Sequence, residues 1–323
     1  MYQLQVQLLP IRMLNGNKEA IFFRYSDCDI TINVCCNIEV NIIGNKSFEE
    51  LFSLFMVLNK FLQICLGYFY DIKYVLYDEA VSFIMRNPKE IPLSYIKSKR
   101  IEAFYNTFRD FKNNSNKLLQ LSNQTVNEKI IKKFKKIYDD NTIIHNGFLY
   151  SQSCSGYPID KKLAEIVQCF EHFGRYISRK SNDNEQTGLS NNLKYVFLKY
   201  PLSFIPNDYN KIDEYAKDNS NFDKLAKKCA VTRDYIMHYD KNAAHFDGKN
   251  SVYWYRIFHT YYRYVFLHLV LGSKNSEMLV KQNAENQISS LEKWKHKMLK
   301  KRKIQITSSL PHKYTLTKKR FSS

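Results

Sequence analysis

The sequence predicts an α+β protein in which a short β-containing N-terminal region precedes a mainly α-helical bundle. The first 45 residues alternate polar and apolar side chains as strands do, whereas nearly every periodic segment after residue 160 has the helical period. Hydrophobic residues make up 44% of the 323 residues and aromatic residues 15%, which is enough to bury a core in one large or two modest domains.

The N-terminal region contains the predicted strands. The segments YQLQVQLL, AIFFRYS and DITINVCCNIEVNII are alternating, β-branched or aromatic, with polar breaks between them. Ser47 followed by Glu50 matches a capping box and predicts a helix over FEELFSLFMVLNKFLQICLGYF. The next segment, DIKYVLYDEAVSFIM, predicts two further short strands.

The pattern becomes helical from Pro92 to about Asp140, with interruptions at NNSNK and SNQTVN. The stretch SQSCSGYPID (151–160) is rich in Ser, contains Gly and Pro, and is the best domain boundary. The chain is therefore divided into three parts: an N-terminal region over 1–150, a helical domain over 151–292 and a basic tail over 293–323.

Three helices are predicted in the second part, and SNDNEQTGLSNN is predicted to be a loop. The first has an apolar stripe of Leu163, Ile166, Val167, Phe170, Phe173 and Ile177. The second has a stripe of Phe222, Leu225, Ala226, Cys229, Ala230, Ile236 and Met237. The third, NSVYWYRIFHTYYRYVFLHLVLG, is apolar nearly all round, which indicates a buried helix.

The net charge of +18 is concentrated in the tail, where Lys293 to Ser323 contain eleven Lys and Arg residues and no Asp or Glu. Such a field attracts polyanions through phosphate contacts and counterion release, although a solubilising tail has the same composition. Four tail residues combine aromatic and basic side chains that can stack on bases and follow a phosphate backbone: Trp294, Lys295, Lys301 and Arg302.

Several classes of protein find no support in the sequence. The seven cysteines show no CxxC and no zinc-ligand spacing, and there is no phosphate-binding Gly loop and no Ser or Cys nucleophile triad. The N-terminus lacks the pattern of a signal peptide, and no run reaches the roughly 18 apolar residues that span a bilayer. We therefore expect a cytoplasmic protein with reduced thiols, without membrane contact, metal or cofactor.

The predicted helix over 222–238 contains three residues suited to chemistry. On a helical wheel Arg233 falls about 20° from Phe222, in the centre of the apolar stripe, where an unpaired charge is costly. Asp234 and His238 are four residues apart and therefore lie one above the other on the flank of that stripe. This face should meet either the core of its own domain or a partner subunit across a cleft.

The segment TRDYIMHYD resembles the R-[N/D/H]-x3-H signature of HEPN domains, and LAKKCAVTRDYIMHYDKN resembles the Apea-like branch of that superfamily. LAEIVQCFEHFGRYISRK (163–180) resembles the helix that precedes the motif, and SFEELFSLFMVLNKFLQICLGYFYDIKYV (47–75) resembles the end of the branch's N-terminal region. The similarity extends loosely over residues 45–275 and is sharp around 225–241. The first 45 residues form a shorter segment than the large N-terminal domain of typical family members.

The resemblance implies a four-to-five-helix domain that forms a homodimer, in which two facing motifs make one metal-independent ribonuclease site. His238 would be the general base or acid, because its reference pKa is near 6.5. Arg233 would contact two phosphate oxygens, and Asp234 would orient the imidazole or hold Arg233. The expected products are a 2′,3′-cyclic phosphate and a 5′-OH. The alternative is a structural Arg–Asp pair with a surface histidine.

Further residues are candidates for RNA binding. Arg256, His259 and Arg263 fall on one face of the third helix, where they either line the cleft or snorkel to solvent. Arg175, together with Glu171, either approaches the same site or belongs to a solvated face. The R-x4-H spacing occurs again in RYVFLH, but Tyr, Val, Phe and Leu separate that Arg and His, so we interpret this second match as a coincidence.

Three functions remain open at this point. The first is a ribonuclease effector of an anti-phage defence or toxin system with a phage-derived trigger, acting on tRNA or other single-stranded loops whose bases are unstacked. The second is a toxin held by a nucleotidyltransferase antitoxin; in that version of the family a Tyr stands two residues after the His, where this chain has Asp240. The third is a non-catalytic RNA-binding or scaffolding domain.

Overall fold

The computed structural model describes residues 1–8, 19–34, 38–67, 72–81, 84–85, 89–92, 117–153, 158–183, 187–202, 219–238, 248–272, 276–291 and 293. Seven strands are present among them: β1 (Tyr2–Leu8), β2 (Glu19–Tyr25), β3 (Cys28–Val34), β4 (Ile38–Gly44), β5 (Ile72–Val81), β6 (Ile84–Met85) and β7 (Lys89–Glu90). The described helices are α1 (Phe48–Leu66), α2 (Glu128–Asp140), α3 (Thr142–Ser153), α4 (Ile159–Lys180), α5 (Leu189–Lys199), α6 (Asn219–His238), α7 (Gly248–Leu271) and α8 (276–291). The predicted α+β class is confirmed.

The strands form one antiparallel sheet in the order β2-β3-β4-β1-β5-β6, and β7 also pairs with β5. Alternate residues of β1 are buried, as the sequence pattern predicts: Leu4, Val6 and Leu8 all point into the core. The turn from β2 to β3 consists of Ser26 and Asp27, both with positive φ, which matches the right-handed twist of the two strands. The predicted N-terminal strands are therefore confirmed.

Helix α1 lies between this sheet and the helical part of the chain. Its predicted capping box is confirmed, because Ser47 accepts a hydrogen bond from the backbone N–H of Glu50 and the Glu50 carboxylate accepts one from the backbone N–H of Ser47. The helix ends at Leu66, earlier than predicted, because Gly67 adopts the left-handed conformation with φ of 76°.

Helix α7 is buried on nearly all sides, as predicted, and packs against α1, α2 and α4. Aromatic rings make most of these contacts. Tyr262 stacks on Phe148 of α3 with ring centroids 4.1 Å apart, and Tyr261 stacks on Phe170 of α4 at 5.4 Å. The predicted stripe of α4, from Leu163 to Ile177, is buried along its whole length.

Two predictions for the helical part are corrected. Met237 is 56% exposed rather than in the apolar core, because the last turn of α6 borders a cavity instead of another helix. The predicted loop SNDNEQTGLSNN is shorter than expected, since α5 begins at Leu189. Leu189, Leu193 and Val196 are buried on one face of α5, and this face stabilises the helix. The side chain of Phe222 lies outside the described residues.

Buried residues from both halves of the chain belong to one continuous core. Helix α3 runs to Ser153, so the Ser-rich stretch begins inside a helix, while residues 154–157 lie outside the description. The division into three parts therefore stays a prediction. Among the described residues, no helix is both long and apolar enough to cross a membrane.

Candidate functional site

Helices α4 and α6 pack side by side and bring Arg233 into contact with two carboxylates. Arg233 Nη1 lies 3.1 Å from Asp234 Oδ1, and Nη2 lies 3.6 Å from Glu171 Oε2 on the neighbouring helix. The Arg233 side chain is 21% exposed, whereas that of Asp234 is half exposed. The guanidinium therefore has the partners that a charge within an apolar stripe requires.

Glu171 joins Arg233 to a second arginine. Its Oε1 lies 2.6 Å from Arg175 Nη2, and its Oε2 also accepts a hydrogen bond of 2.9 Å from Gln168 Nε2. The Glu171 side chain is 12% exposed, so both of its oxygens are engaged in a partly desolvated position. The two arginines and the two carboxylates sum to zero formal charge, which limits the cost of burying them together.

One donor of this cluster has no acceptor among the described residues. Arg233 Nε is buried and makes no hydrogen bond within the described ranges, although its neighbours Nη1 and Nη2 both have carboxylate partners. A guanidinium has five N–H donors in one plane, and buried donors are nearly always satisfied. Arg233 therefore keeps hydrogen-bonding capacity that the described residues do not use.

A cavity of about 290 Å³ opens beside Arg233, between α3, α4 and α6. Its lining is mostly apolar and includes Ile143, Gly147, Ala164, Cys169, Arg233 and Met237. The exposed lining residues are Ile143, which is 87% exposed, Met237 and His172, so the mouth of the cavity is apolar apart from one histidine. The site therefore combines an ion-pair cluster with an adjoining apolar recess.

His238 is the last residue of α6 and lies one helical turn beyond Asp234. Its side chain lies outside the described part of the structure, as do Asp240 and the tail residues Trp294, Lys295, Lys301 and Arg302. The predicted roles of these residues therefore stay predictions. The structure brings together Arg233, Asp234, Glu171 and Arg175.

Arg263 and His259 lie in the protein interior rather than at a cleft, which corrects their predicted role in RNA binding. Arg263 is fully buried, and it donates from Nε to the Ile64 carbonyl at 2.7 Å and from Nη2 to the Cys65 carbonyl at 3.0 Å. His259 is buried as well, and this burial lowers its pKa well below the usual range. Arg256 on the same helix is half-buried, and its RNA contact stays a prediction.

Gln168 and the α3 wall of the cavity were not singled out from the sequence. A signal for Gln168 existed, because Gln168, Glu171 and Arg175 recur at spacings of three and four on one face of α4. The α3 wall had no such signal, because Ile143 and Gly147 are unremarkable in sequence and meet α6 only in the folded chain.

Within the described ranges, no three His, Cys, Asp or Glu side chains converge as metal ligands would. No protein-family model, no curated protein and no solved structure matches the chain. The chemistry of the site must therefore be argued from its own groups: a partly buried arginine with an unused donor, two carboxylates, a histidine one turn away and an apolar recess.

Proposed function

We propose that this protein is a metal-independent endoribonuclease of the HEPN type, with Arg233, Asp234 and His238 as its catalytic residues. The observation that supports the proposal best is the environment of Arg233. This arginine occupies the first position of the R-[N/D/H]-x3-H pattern, is oriented by two carboxylates beside a cavity, and has one unsatisfied buried donor. A phosphate oxygen is an acceptor for the edge of this guanidinium that contacts the half-exposed Asp234.

The reaction uses the 2′-OH of RNA as its nucleophile. The 2′-oxygen attacks the adjacent phosphorus, a base removes its proton, and the bond from phosphorus to the 5′-oxygen breaks as that oxygen gains a proton. The products are a 2′,3′-cyclic phosphate and a 5′-OH. His238 moves protons at neutral pH, and Arg233 stabilises the charge that builds on the phosphate oxygens. The phosphate displaces the half-exposed Asp234 carboxylate from Arg233, and Asp234 then orients the imidazole of His238, one helical turn away.

The proposed site is completed by a second copy of the chain. Cleavage needs one group to accept a proton and another to donate one, and the motif of one chain provides a single histidine. Exposed apolar side chains beside Arg233 suit a contact between copies, because Ile143 is 87% and Met237 56% exposed at the cavity mouth. Two motifs facing each other would supply two histidines.

The proposed setting is the cytoplasm, where the enzyme acts as an effector of anti-phage defence or as a toxin, released by a phage-derived trigger or by loss of an antitoxin. The net charge of +18 supports an RNA substrate, because it raises the local concentration of polyanions. The proposed substrates are tRNA or other single-stranded loops, since their unstacked bases can enter a recess.

The test is incubation of the purified protein with total tRNA in EDTA. Wild type is compared with Arg233→Ala and His238→Ala, and with two controls away from the site, Arg24→Ala and His268→Ala. Wild type and both controls are expected to give discrete fragments with cyclic-phosphate ends. Both site variants are expected to lose at least about 100-fold in rate.

Two results would contradict the proposal. Intact tRNA in every lane, with a shift on a native gel, would assign the protein to the non-catalytic RNA-binding class. Fragments that persist unchanged in both Arg233→Ala and His238→Ala would show that cleavage comes from another site or from a contaminating nuclease.

A further inference from the structure

The cavity beside Arg233 is small, apolar and open at one end. Its volume of about 290 Å³ lies at the lower limit of ligand pockets in proteins, which range from about 300 to 1,000 Å³. Such a space accepts one flat or compact group, whereas a helix or a folded peptide does not fit. Ile143 and Met237 at the rim and Ala164 and Cys169 on the inner wall provide apolar surface.

The polar residues that line this cavity are Arg233, Gln168, Glu165 and His172, and such groups suit the edge of a heteroaromatic ring. Arg233 belongs to the wall and has its buried Nε without an acceptor. Gln168 also lines the cavity; its Nε2 donates to Glu171, which leaves its Oε1 as an acceptor. Glu165 adds a carboxylate to the same lining. Apolar walls with a few polar groups are typical of sites for flat ligands.

We propose that this cavity binds one nucleobase of the RNA, next to the phosphate that Arg233 contacts. The proposal rests on the ribonuclease function for the identity of its ligand. Because Arg233 belongs both to the cavity wall and to the ion-pair cluster, a base in the cavity and a phosphate at the guanidinium would belong to neighbouring parts of one nucleotide. The base pocket would thereby fix which phosphate is presented for cleavage.

The acceptors also determine which bases fit best. Gln168 Oε1 accepts hydrogen bonds, and adenine, cytosine and guanine each have an exocyclic amino group that donates them. Uracil has no amino group. The cavity is therefore expected to prefer a base with an exocyclic amino group over uracil.

Binding is measured separately from cleavage, with the full chain and the four nucleoside 3′-monophosphates. These compounds contain a base and a phosphate but no following nucleotide to cleave. Ribose 5-phosphate is the probe without a base. Saturation-transfer NMR reports whether protons of the base or only those of the ribose lie against the protein, and titration gives the dissociation constants.

Two substitutions fill the cavity. Ala164→Leu adds three carbons to the wall, and Gly147→Ala adds a methyl group 3.3 Å from Cys169 Sγ while favouring the helix. The matched control is Ala230→Leu, which makes the same change on α6 outside the cavity lining. Circular dichroism establishes that each variant is folded.

Wild type and Ala230→Leu are expected to transfer saturation to base protons and to bind the amino-bearing nucleotides more tightly than uridine 3′-monophosphate. Ala164→Leu is expected to weaken nucleotide binding about tenfold, to the level of ribose 5-phosphate, and Gly147→Ala less. Equal binding by all variants, or no discrimination between nucleotides and ribose 5-phosphate, would overturn the base pocket.

The two proposals fail in different ways. Base-dependent binding that Ala164→Leu abolishes, without any cleavage of tRNA, would retain the pocket and reject the ribonuclease. Cleavage of tRNA at an unchanged rate and with unchanged sequence preference in Ala164→Leu would retain the ribonuclease and reject the pocket. A change of oligomeric state in Ala164→Leu without an effect on nucleotide binding would reject the pocket in favour of a contact between copies.

Discussion

Arg233 and Arg263 each precede a histidine by five residues, yet the two arginines have opposite environments. Arg263 is fully buried and donates to two backbone carbonyls at the C-terminal end of α1. Arg233 is partly exposed, is paired with two carboxylates and borders a cavity. The same spacing therefore contributes to the fold in one place and to a candidate site in the other.

The difference follows from the helix on which each arginine lies. Helix α7 is buried nearly all round, and Arg263 donates to two carbonyls of the last turn of α1, where the helix itself no longer provides N–H donors. Helix α6 has an exposed flank, and there Asp234 and Glu171 of the neighbouring α4 provide carboxylate partners. Arg263 is therefore held by backbone carbonyls, whereas Arg233 is held by side chains, one of which, that of Asp234, is half exposed.

The largest expected effect is the contrast between Arg263→Met and Arg233→Met. Arg263→Met takes the donor from the buried Ile64 carbonyl and one donor from the Cys65 carbonyl, which keeps the Leu118 backbone N–H at 2.9 Å, and it should lower the free energy of unfolding by about 3 kcal/mol. Arg233→Met removes partly exposed ion pairs and should change it by less than about 1 kcal/mol. Urea unfolding of both variants measures the contrast, and equal losses would show that Arg233 is also a structural residue.

Gly67 allows a second test of the Arg263 region. Its φ of 76° disfavours any side chain, and a Cβ there would lie 2.3 Å from Arg263 Nη1. The matched control is the same change in the Arg263→Met background, where the backbone strain is identical and the arginine is absent. Gly67→Ala should cost about 2 kcal/mol or more in wild type, because the arginine must also move, and about 1 kcal/mol in the Arg263→Met background for backbone strain alone. Urea unfolding gives both values, and equal costs would place Arg263 in a looser environment.

The fold was predictable where a structural feature depends on residues that are close together in the sequence. The Ser47–Glu50 capping box and the Leu163–Ile177 stripe depend on spacings of three and four residues, and both were predicted correctly. The contact between Arg263 and α1 was not predictable, because its acceptor is a backbone carbonyl 199 residues away and a carbonyl has no sequence identity. Met237 was assigned to the core for a similar reason: periodicity shows an apolar face but not whether another helix covers it.

The candidate site was predictable to a similar extent. Arg233 and Asp234 are neighbours in the sequence, and their ion pair follows from that proximity. The role of Glu171 as a partner of both arginines required α4 and α6 to pack together, which the sequence does not specify. The cavity depends on a third helix, α3, and no pattern within one helix can indicate a space between three.

The buried histidines His145 and His259 make the stability of the folded chain depend on pH. Burial lowers the pKa of His145 to about 3, while a histidine in the unfolded chain has a pKa near 6.5. Below pH 6.5 the unfolded chain therefore binds a proton that the folded chain does not. The contribution of His145 to the free energy of unfolding is therefore complete above pH 6.5. It falls by about 1.4 kcal/mol per pH unit as the pH decreases from 6.5 towards 3. His259 adds to the loss, because its pKa is also lowered by burial.

The change that isolates this effect is His145→Phe, since the ring already lies among Phe134, Phe148 and Phe266. The variant should show a shallower fall of the urea midpoint between pH 6.5 and pH 4 than wild type. The exposed His172 provides the control, and His172→Phe should keep the wild-type slope. An unchanged slope in His145→Phe would mean that the folded protein accepts a proton at this position.

The smallest expected effect on stability is that of Glu171→Gln, which tests whether the Arg233 region is a site. Glu171 contacts both Arg233 and Arg175, and it is the only one of the four charged groups in this cluster that joins the two arginines. Its replacement should change the free energy of unfolding by less than about 1 kcal/mol, because Arg233 keeps its pair with Asp234 and the amide oxygen of glutamine still accepts a hydrogen bond. If the proposed function holds, cleavage should nevertheless slow about tenfold, since a misplaced guanidinium no longer matches the phosphate in the transition state.

The matched control is Glu128→Gln, which removes the carboxylate of an exposed pair with Lys132 on α2 and should alter neither stability nor cleavage. A loss of stability in Glu171→Gln as large as that in Arg263→Met would make the two arginine regions alike, and the ion-pair cluster would then be part of the scaffold. Slower cleavage at unchanged stability would distinguish the Arg233 region from the Arg263 region. Glu171 would then position Arg233 for chemistry, because a purely structural carboxylate cannot change the rate of a fully folded enzyme. The change in cleavage rate compared with the change in the free energy of unfolding, rather than either alone, thus decides whether Glu171 serves the fold or the proposed catalytic site.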